Sequence, residues 1–139
     1  MMRSAQCLCG EVQLEVETDA SLLINCHCRS CRHAHGAAFV TTTPVRDEGF
    51  RIVRGEPSIG RHVGRFFCRT CGTRLFNRSE DHPGITMLVV TALDEEPTAR
   101  PAMHLNLESS APWYEILDDR PRFEGFAPGM QAPPEKRRD

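Results

Sequence analysis

Apolar residues in this chain recur at every second position and in short runs. The clearest case is residues 11–17, where Val12, Leu14 and Val16 face one way and Glu11, Gln13, Glu15 and Glu17 the other. That is the period of a half-buried strand. Thr18-Asp19-Ala20-Ser21 breaks the pattern, and Leu22-Leu23-Ile24 begins a second run. Residues 37–43 are small and β-branched and predict a strand ending at Pro44; residues 50–53 predict another, closed by Gly55-Glu56-Pro57. Phe66-Phe67 and Leu75-Phe76 predict the two arms of a hairpin, and the most apolar run, residues 85–92, predicts a central strand. Residues 103–107 predict one more short strand, while 111–114 and 121–123 read as extended or turn segments covering the sheet. Heptads and long amphipathic helical patterns are absent. One short helical turn is expected after residue 31, stopped at Gly36. Many short strands separated by turn signals predict a mainly β domain over residues 1–130. The polar, proline-bearing residues 131–139 predict a flexible C-terminal tail.

Composition narrows the class. A length of 139 residues suits one domain with a real core. The net charge of −2, with both signs interspersed, provides no field for nucleic acid or an acidic membrane. The first six residues contain no apolar signal-type region, and no apolar run reaches the length that spans a bilayer. The expectation is a soluble, cytoplasmic protein without a nucleic-acid partner.

The seven cysteines change the picture most. Their number is odd, so a complete intramolecular disulfide framework is impossible, and their tight clusters point to metal or redox chemistry. The central cluster is Cys26-His27-Cys28-Arg29-Ser30-Cys31. In extended backbone Cys26 and Cys28 point to the same side. A helical turn after them brings Cys31 back to the same place. One loop can thus present three sulfurs to one zinc, leaving a tetrahedral position open for a substrate thiol. Cys7-x-Cys9-Gly10 and Cys68-x-x-Cys71-Gly72 read as two halves of a four-thiolate structural zinc site, each with a glycine that permits the tight turn around the sulfurs. Three other readings stand beside this one: Cys7 and Cys9 pairing with two thiols of the central cluster, thiol–disulfide redox chemistry, and plain buried thiols.

Neighbouring residues carry weaker signals. His27 lies between two candidate ligands and should point away from them. His33 and His35 follow the cluster as a fourth ligand, a proton carrier or polar residues at a pocket rim. Arg29 and Arg32 are placed either to attract a carboxylate or simply to offset thiolate charge. Trp113 reads as a core or lid aromatic.

Taken together, Cys-x-Cys-Gly, Cys-His-Cys-x-x-Cys, Phe-Cys-x-x-Cys-Gly-Thr, His104, and the Ala-Pro-Trp segment ending in Asp-x-x-Pro-Arg-Phe resemble the glutathione-dependent formaldehyde-activating enzyme family, which includes centromere protein V among its relatives. The resemblance runs from about Cys7 to Phe126. It departs from the family pattern at residues 59–65, which lack the expected serine before the Phe-Cys knuckle. It implies a β fold of the Mss4-like type, with structural zinc on Cys7, Cys9, Cys68 and Cys71 and active-site zinc on Cys26, Cys28 and Cys31. It also implies a carbon–sulfur lyase activity that joins glutathione and formaldehyde. A thiol-handling zinc enzyme and a zinc-stabilised binding module without chemistry are therefore the two functional readings, and an open metal position separates them.

Overall fold

The computed structural model describes residues 1–130; the tail expected at 131–139 lies outside the described residues. Two antiparallel-rich sheets share one core. The smaller has the order β1-β2-β5, from β1 (Met2–Gln6), β2 (Gln13–Glu17) and β5 (Phe50–Arg54). The larger contains β3 (Leu23–Cys26), β4 (Val40–Arg46), β6 (Ile59–His62), β7 (Arg65–Cys68), β8 (Arg74–Arg78), β9 (Ile85–Val89) and β10 (Pro101–Leu105). Its order is β10-β3-β4-β9-β8-β7-β6, so β9 is central, as its apolar run requires. The single α-helix among the described residues, α1 (Arg29–His35), follows β3 directly. The architecture is mainly β, as the short alternating runs predict.

Alternation along each strand builds the core. Val12, Leu14 and Val16 are at most 1% exposed and meet Leu23, Val45, Phe76 and Leu88 from the larger sheet. Phe76 packs edge-on against Phe50 at 4.7 Å and Phe66 at 4.6 Å, tying the two sheets and the β7–β8 hairpin to one aromatic centre.

Four strands differ from the sequence expectation. β4 does not end at Pro44 but runs to Arg46, with Pro44 opposite Met87 of β9. Pairing of β4 with β3 stops at Thr42, so beyond it one flank of β4 has no strand partner among the described residues, the situation in which sheets tolerate proline. β1 and β6 form although neither shows an alternating apolar pattern. β1 is recruited by pairing with β2, and β6 is an edge strand paired only with β7. The run at 85–92 is a strand only to Val89, after which Val90–Ala92 make a 3-10 turn. Trp113 is 69% exposed and belongs to no core.

Candidate metal centre

The end of β3 and the start of α1 deliver three thiols to one point. Cys26 closes the strand. Cys28 is still extended (φ −62°, ψ 150°) and serves as the N-cap of α1, its Sγ accepting the Cys31 backbone N–H at 3.4 Å. Cys31 sits in the first helical turn, with its Sγ 3.6 Å from that of Cys26. All three sulfurs lie within 4.8 Å of one another. α1 ends at Gly36, whose N–H bonds to the Arg32 carbonyl at 2.9 Å.

A second cluster gathers Cys7, Cys9, Cys68 and Cys71, again within 4.8 Å. Cys7 and Cys9 sulfurs are 3.6 Å apart, and Cys9 and Cys68 sulfurs 3.9 Å. Both knuckles close through a glycine of positive φ, Gly10 at 78° and Gly72 at 80°, a conformation that glycine adopts without a Cβ penalty. In the first knuckle Val12 N–H donates to Cys7 Sγ at 3.2 Å, and the second turn is closed by Gly72 N–H on the Cys68 carbonyl at 2.8 Å. The structure thus groups the thiols as four and three, and does not mix Cys7 and Cys9 with the central cluster. All seven are free, with none in a disulfide.

The spacing of these sulfurs fits a tetrahedral zinc, whose bonds of about 2.3 Å set sulfurs about 3.8 Å apart. Charge supports the same fit. Among the three central thiols, hydrogen bonds from Cys26 and Cys31 pull Cys28 down to about 2, while the Cys28 contact and burial push Cys26 up to about 11 and the Cys26 and Cys28 contacts drive Cys31 well above its ordinary value. Three sulfurs this close cannot all ionise unless a cation joins them.

Each central sulfur also has at least one hydrogen-bond partner outside the trio or on the backbone, and Cys28 Sγ has a further one in Ser30 Oγ at 3.4 Å. Asn106 Nδ2 donates to Cys26 Sγ at 3.3 Å, the Cys31 N–H to Cys28 Sγ, and the Arg65 guanidinium to Cys31 Sγ at 3.5 Å. Arg65 also donates to Ser30 Oγ at 2.9 Å. Asn106 holds a left-handed backbone (φ 59°), which asparagine tolerates better than most residues. Such donors damp thiolate charge and fix ligand orientation. Sequence reasoning did not single out Asn106 or Arg65, although Arg65 ends the segment that departs from the family pattern.

The neighbouring residues resolve as follows. His27 points away from the sulfurs, is 1% exposed, and bonds through Nε2 to His104 Nδ1 at 2.9 Å. His104 Nε2 lies 3.0 Å from both carboxylate oxygens of Asp118. The Asp118 carboxyl is held low, chiefly by the Arg120 N–H, so it accepts from His104 Nε2–H, and a hydrogen bond joins His104 Nδ1 to His27 Nε2 on the other side of the ring. Burial, with the adjacent His104 and Arg32, pushes His27 down to about 4. This chain locks β10 beside β3 behind the thiols. His35 is likewise pushed down to about 4, by burial and then by Arg74 and Arg65. His33 is exposed, and neither His33 nor His35 joins the sulfur cluster or lines the cleft beside it. Arg32 is structural, donating to the carbonyls of His27 (3.3 Å) and Ser109 (2.7 Å), and Arg29 is exposed.

The central thiols stand at one end of a cleft of about 340 Å³. Its floor is the face of the larger sheet turned away from the core. Cross-strand rows pave it: Cys26 beside Val40, Ile24 beside Thr42, and Pro44 beside Met87 beside Asn77. Among the described residues, no fourth histidine, cysteine or carboxylate completes the cluster. No helix there is long and apolar enough to cross a membrane.

Comparison with known proteins gives concordant matches. The family model described as glutathione-dependent formaldehyde-activating enzyme matches residues 2–109. Two curated relatives, from Aspergillus flavus and Aspergillus oryzae, are provisionally named glutathione-dependent formaldehyde-activating enzymes; each is 27% identical over 128 residues, 86% of this chain. The aligned part spans only 58% of the length of those relatives. A crystal structure of a Rhodobacter sphaeroides protein superposes with a TM-score of 0.59 at 25% identity, covering 68% of this chain and 91% of that one.

Proposed function

This chain belongs to the glutathione-dependent formaldehyde-activating enzyme family, and from that premise we propose that it is a zinc-dependent carbon–sulfur lyase-type enzyme acting on a glutathione-like thiol and a small aldehyde. The observation that carries the reading is the three-sulfur cluster of Cys26, Cys28 and Cys31 at the end of a cleft. Three protein ligands are the donor count of catalytic zinc, and four that of structural zinc. Cys7, Cys9, Cys68 and Cys71 would hold the second, structural ion. Residues 1–130 form one zinc-binding domain in this account, working in the reducing cytoplasm, where free thiols persist.

Bound zinc supplies a Lewis acid that keeps a substrate thiol ionised at neutral pH. Every other task falls to the chain. Cys26, Cys28 and Cys31 fix where the substrate sulfur sits. Asn106, Arg65 and the Cys31 N–H hold down the charge of the protein sulfurs, leaving the substrate sulfur the more reactive one. The substrate sulfur forms a bond to the carbonyl carbon, the carbonyl electron pair moves to oxygen, and the oxygen takes one proton, equal to the one the thiol released. Arg65 and Asn106 are the donors on hand beside the sulfurs to stabilise that oxygen as its charge develops. The reverse direction breaks the same carbon–sulfur bond.

The test is a glutathione titration of cobalt-substituted protein. The sulfur-to-cobalt charge-transfer band should shift with thiol, and the response should vanish in Cys28→Ser. No spectral change at millimolar thiol would favour the binding-module reading instead.

A further inference from the structure

The composition of the cleft bears on substrate class. Ile24, Val40, Ile85 and Met87 project from three strands onto its floor, and Leu105 and Phe126 close in beside them. Among the described residues that line it, none is acidic, and the arginines are Arg65 and Arg78. Both guanidiniums already have partners. Arg65 serves Ser30 and Cys31. Arg78 donates to Thr86 Oγ1 at 2.7 Å and stacks over Phe50, Phe66 and Phe76 at 5.0, 5.9 and 5.1 Å. An ammonium inside this cleft meets no carboxylate, and a carboxylate meets two guanidiniums already engaged in part, Arg65 keeping a buried Nε without a partner among the described residues. Burying either charge among aliphatic side chains is unfavourable. An alkyl chain, by contrast, removes apolar surface from water on both sides. Formaldehyde has no chain and would leave the cleft floor unused.

We propose that the adduct made or cleaved here carries an apolar chain, lying along the outer face of the sheet from Cys26 toward Met87. The inference rests on the thiol–aldehyde reading and names its substrate class. The bond changes are those already given: sulfur joins the carbonyl carbon, one proton passes from thiol to oxygen, and nothing is oxidised or reduced. The chain can arrive on the aldehyde or on the thiol, and glutathione, if it is the thiol, keeps its charged groups outside the cleft.

The test begins with inert thioethers. S-methyl-, S-butyl- and S-hexylglutathione are titrated calorimetrically into the zinc-loaded full chain. Affinity should rise about fourfold per buried methylene. Met87→Gln should flatten that rise, and Met87→Leu should retain it. Two kinetic arms, each corrected for the uncatalysed reaction, locate the chain. One compares formaldehyde with hexanal at fixed glutathione, and the other compares glutathione with hexanethiol at fixed formaldehyde. A rise in kcat/KM with chain length in either arm supports the proposal and identifies the partner that carries the chain. Flat binding together with flat kinetics overturns it, even if glutathione and formaldehyde turn over well. Flat binding accompanied by a dimer in light scattering also overturns it, assigning the face to a subunit contact. Chain-dependent binding with no turnover for any pair would instead overturn the lyase reading while supporting the apolar-chain site.

Discussion

Replacing Arg65 by methionine isolates the charge that the fold directs at Cys31 while keeping most of the side-chain volume. The guanidinium lies 3.5 Å from Cys31 Sγ and 2.9 Å from Ser30 Oγ. At that separation, with the effective dielectric of a half-buried site, the Coulomb attraction to a thiolate has an upper bound of about 5 kcal/mol. Solvent at the cleft mouth screens much of it, and hydrogen bonds to charged groups typically net about 1.5–3 kcal/mol. The expected result is a loss of roughly 10–100-fold in zinc affinity at the three-cysteine site, the range for outer-shell partners of metal ligands. Competition against a chromophoric chelator measures it, with the four-cysteine site as an internal reference that should not move. Arg65→Lys should recover only part of the loss, because an ammonium lacks the planar fork that serves Ser30 and Cys31 together. Equal affinity in wild type and Arg65→Met would refute the idea that Arg65 stabilises the thiolates.

Three further outcomes follow from the geometry. Cys68→Ser, at a position with no solvent exposure, should abolish cooperative folding in circular dichroism, since structural zinc contributes on the order of 10 kcal/mol and a domain has about 5–15 in total; a native-like melt would contradict the structural role. His27 is pushed down to about 4 from 6.5, so the unfolded chain binds its proton first. The stability this neutral histidine contributes is complete above about pH 6.5 and is lost as pH falls toward 4, about 2 kcal/mol of it between pH 7 and pH 5. His27→Phe should lessen that slope in denaturant titrations at the two pH values, and an unchanged slope would refute the assignment. Phe76→Ala removes the ring that joins both sheets and should cost about 3–5 kcal/mol in the same assay; a loss under 1 kcal/mol would show that the aromatic centre is dispensable.

What was legible in the sequence follows the range of the interactions. Val12, Leu14 and Val16 announce their strand because burial on one face writes a local period. The turn that unites Cys26, Cys28 and Cys31 spans six residues and can be read from strand and helix geometry alone. The grouping of Cys7 and Cys9 with Cys68 and Cys71 could be favoured over its rival because the two Cys-Gly knuckles match. Elements without a local signature were not legible. β1 offers a single well-buried position, Ala5, and exists because β2 pairs with it. β10 joins β3 in parallel, a pairing across some 80 residues that no local pattern encodes. Asn106 and Arg65 reach their sulfurs from 80 and 34 residues away. A positive-φ asparagine and an arginine at a hairpin start look ordinary until the sheet brings them to the cysteines. Pro44 misled because a strand flanked on one side tolerates a residue that a central strand excludes.

X-ray absorption at the zinc edge, recorded on fully loaded protein before and after addition of thiol, addresses the two kinds of site directly. With four cysteines at one site and three at the other, the account predicts about 3.5 sulfurs per zinc at rest, rising to about 4 when a substrate sulfur binds. A count of 4 at rest, or one that stays at 3.5 with saturating thiol, would contradict an open coordination position at Cys26, Cys28 and Cys31.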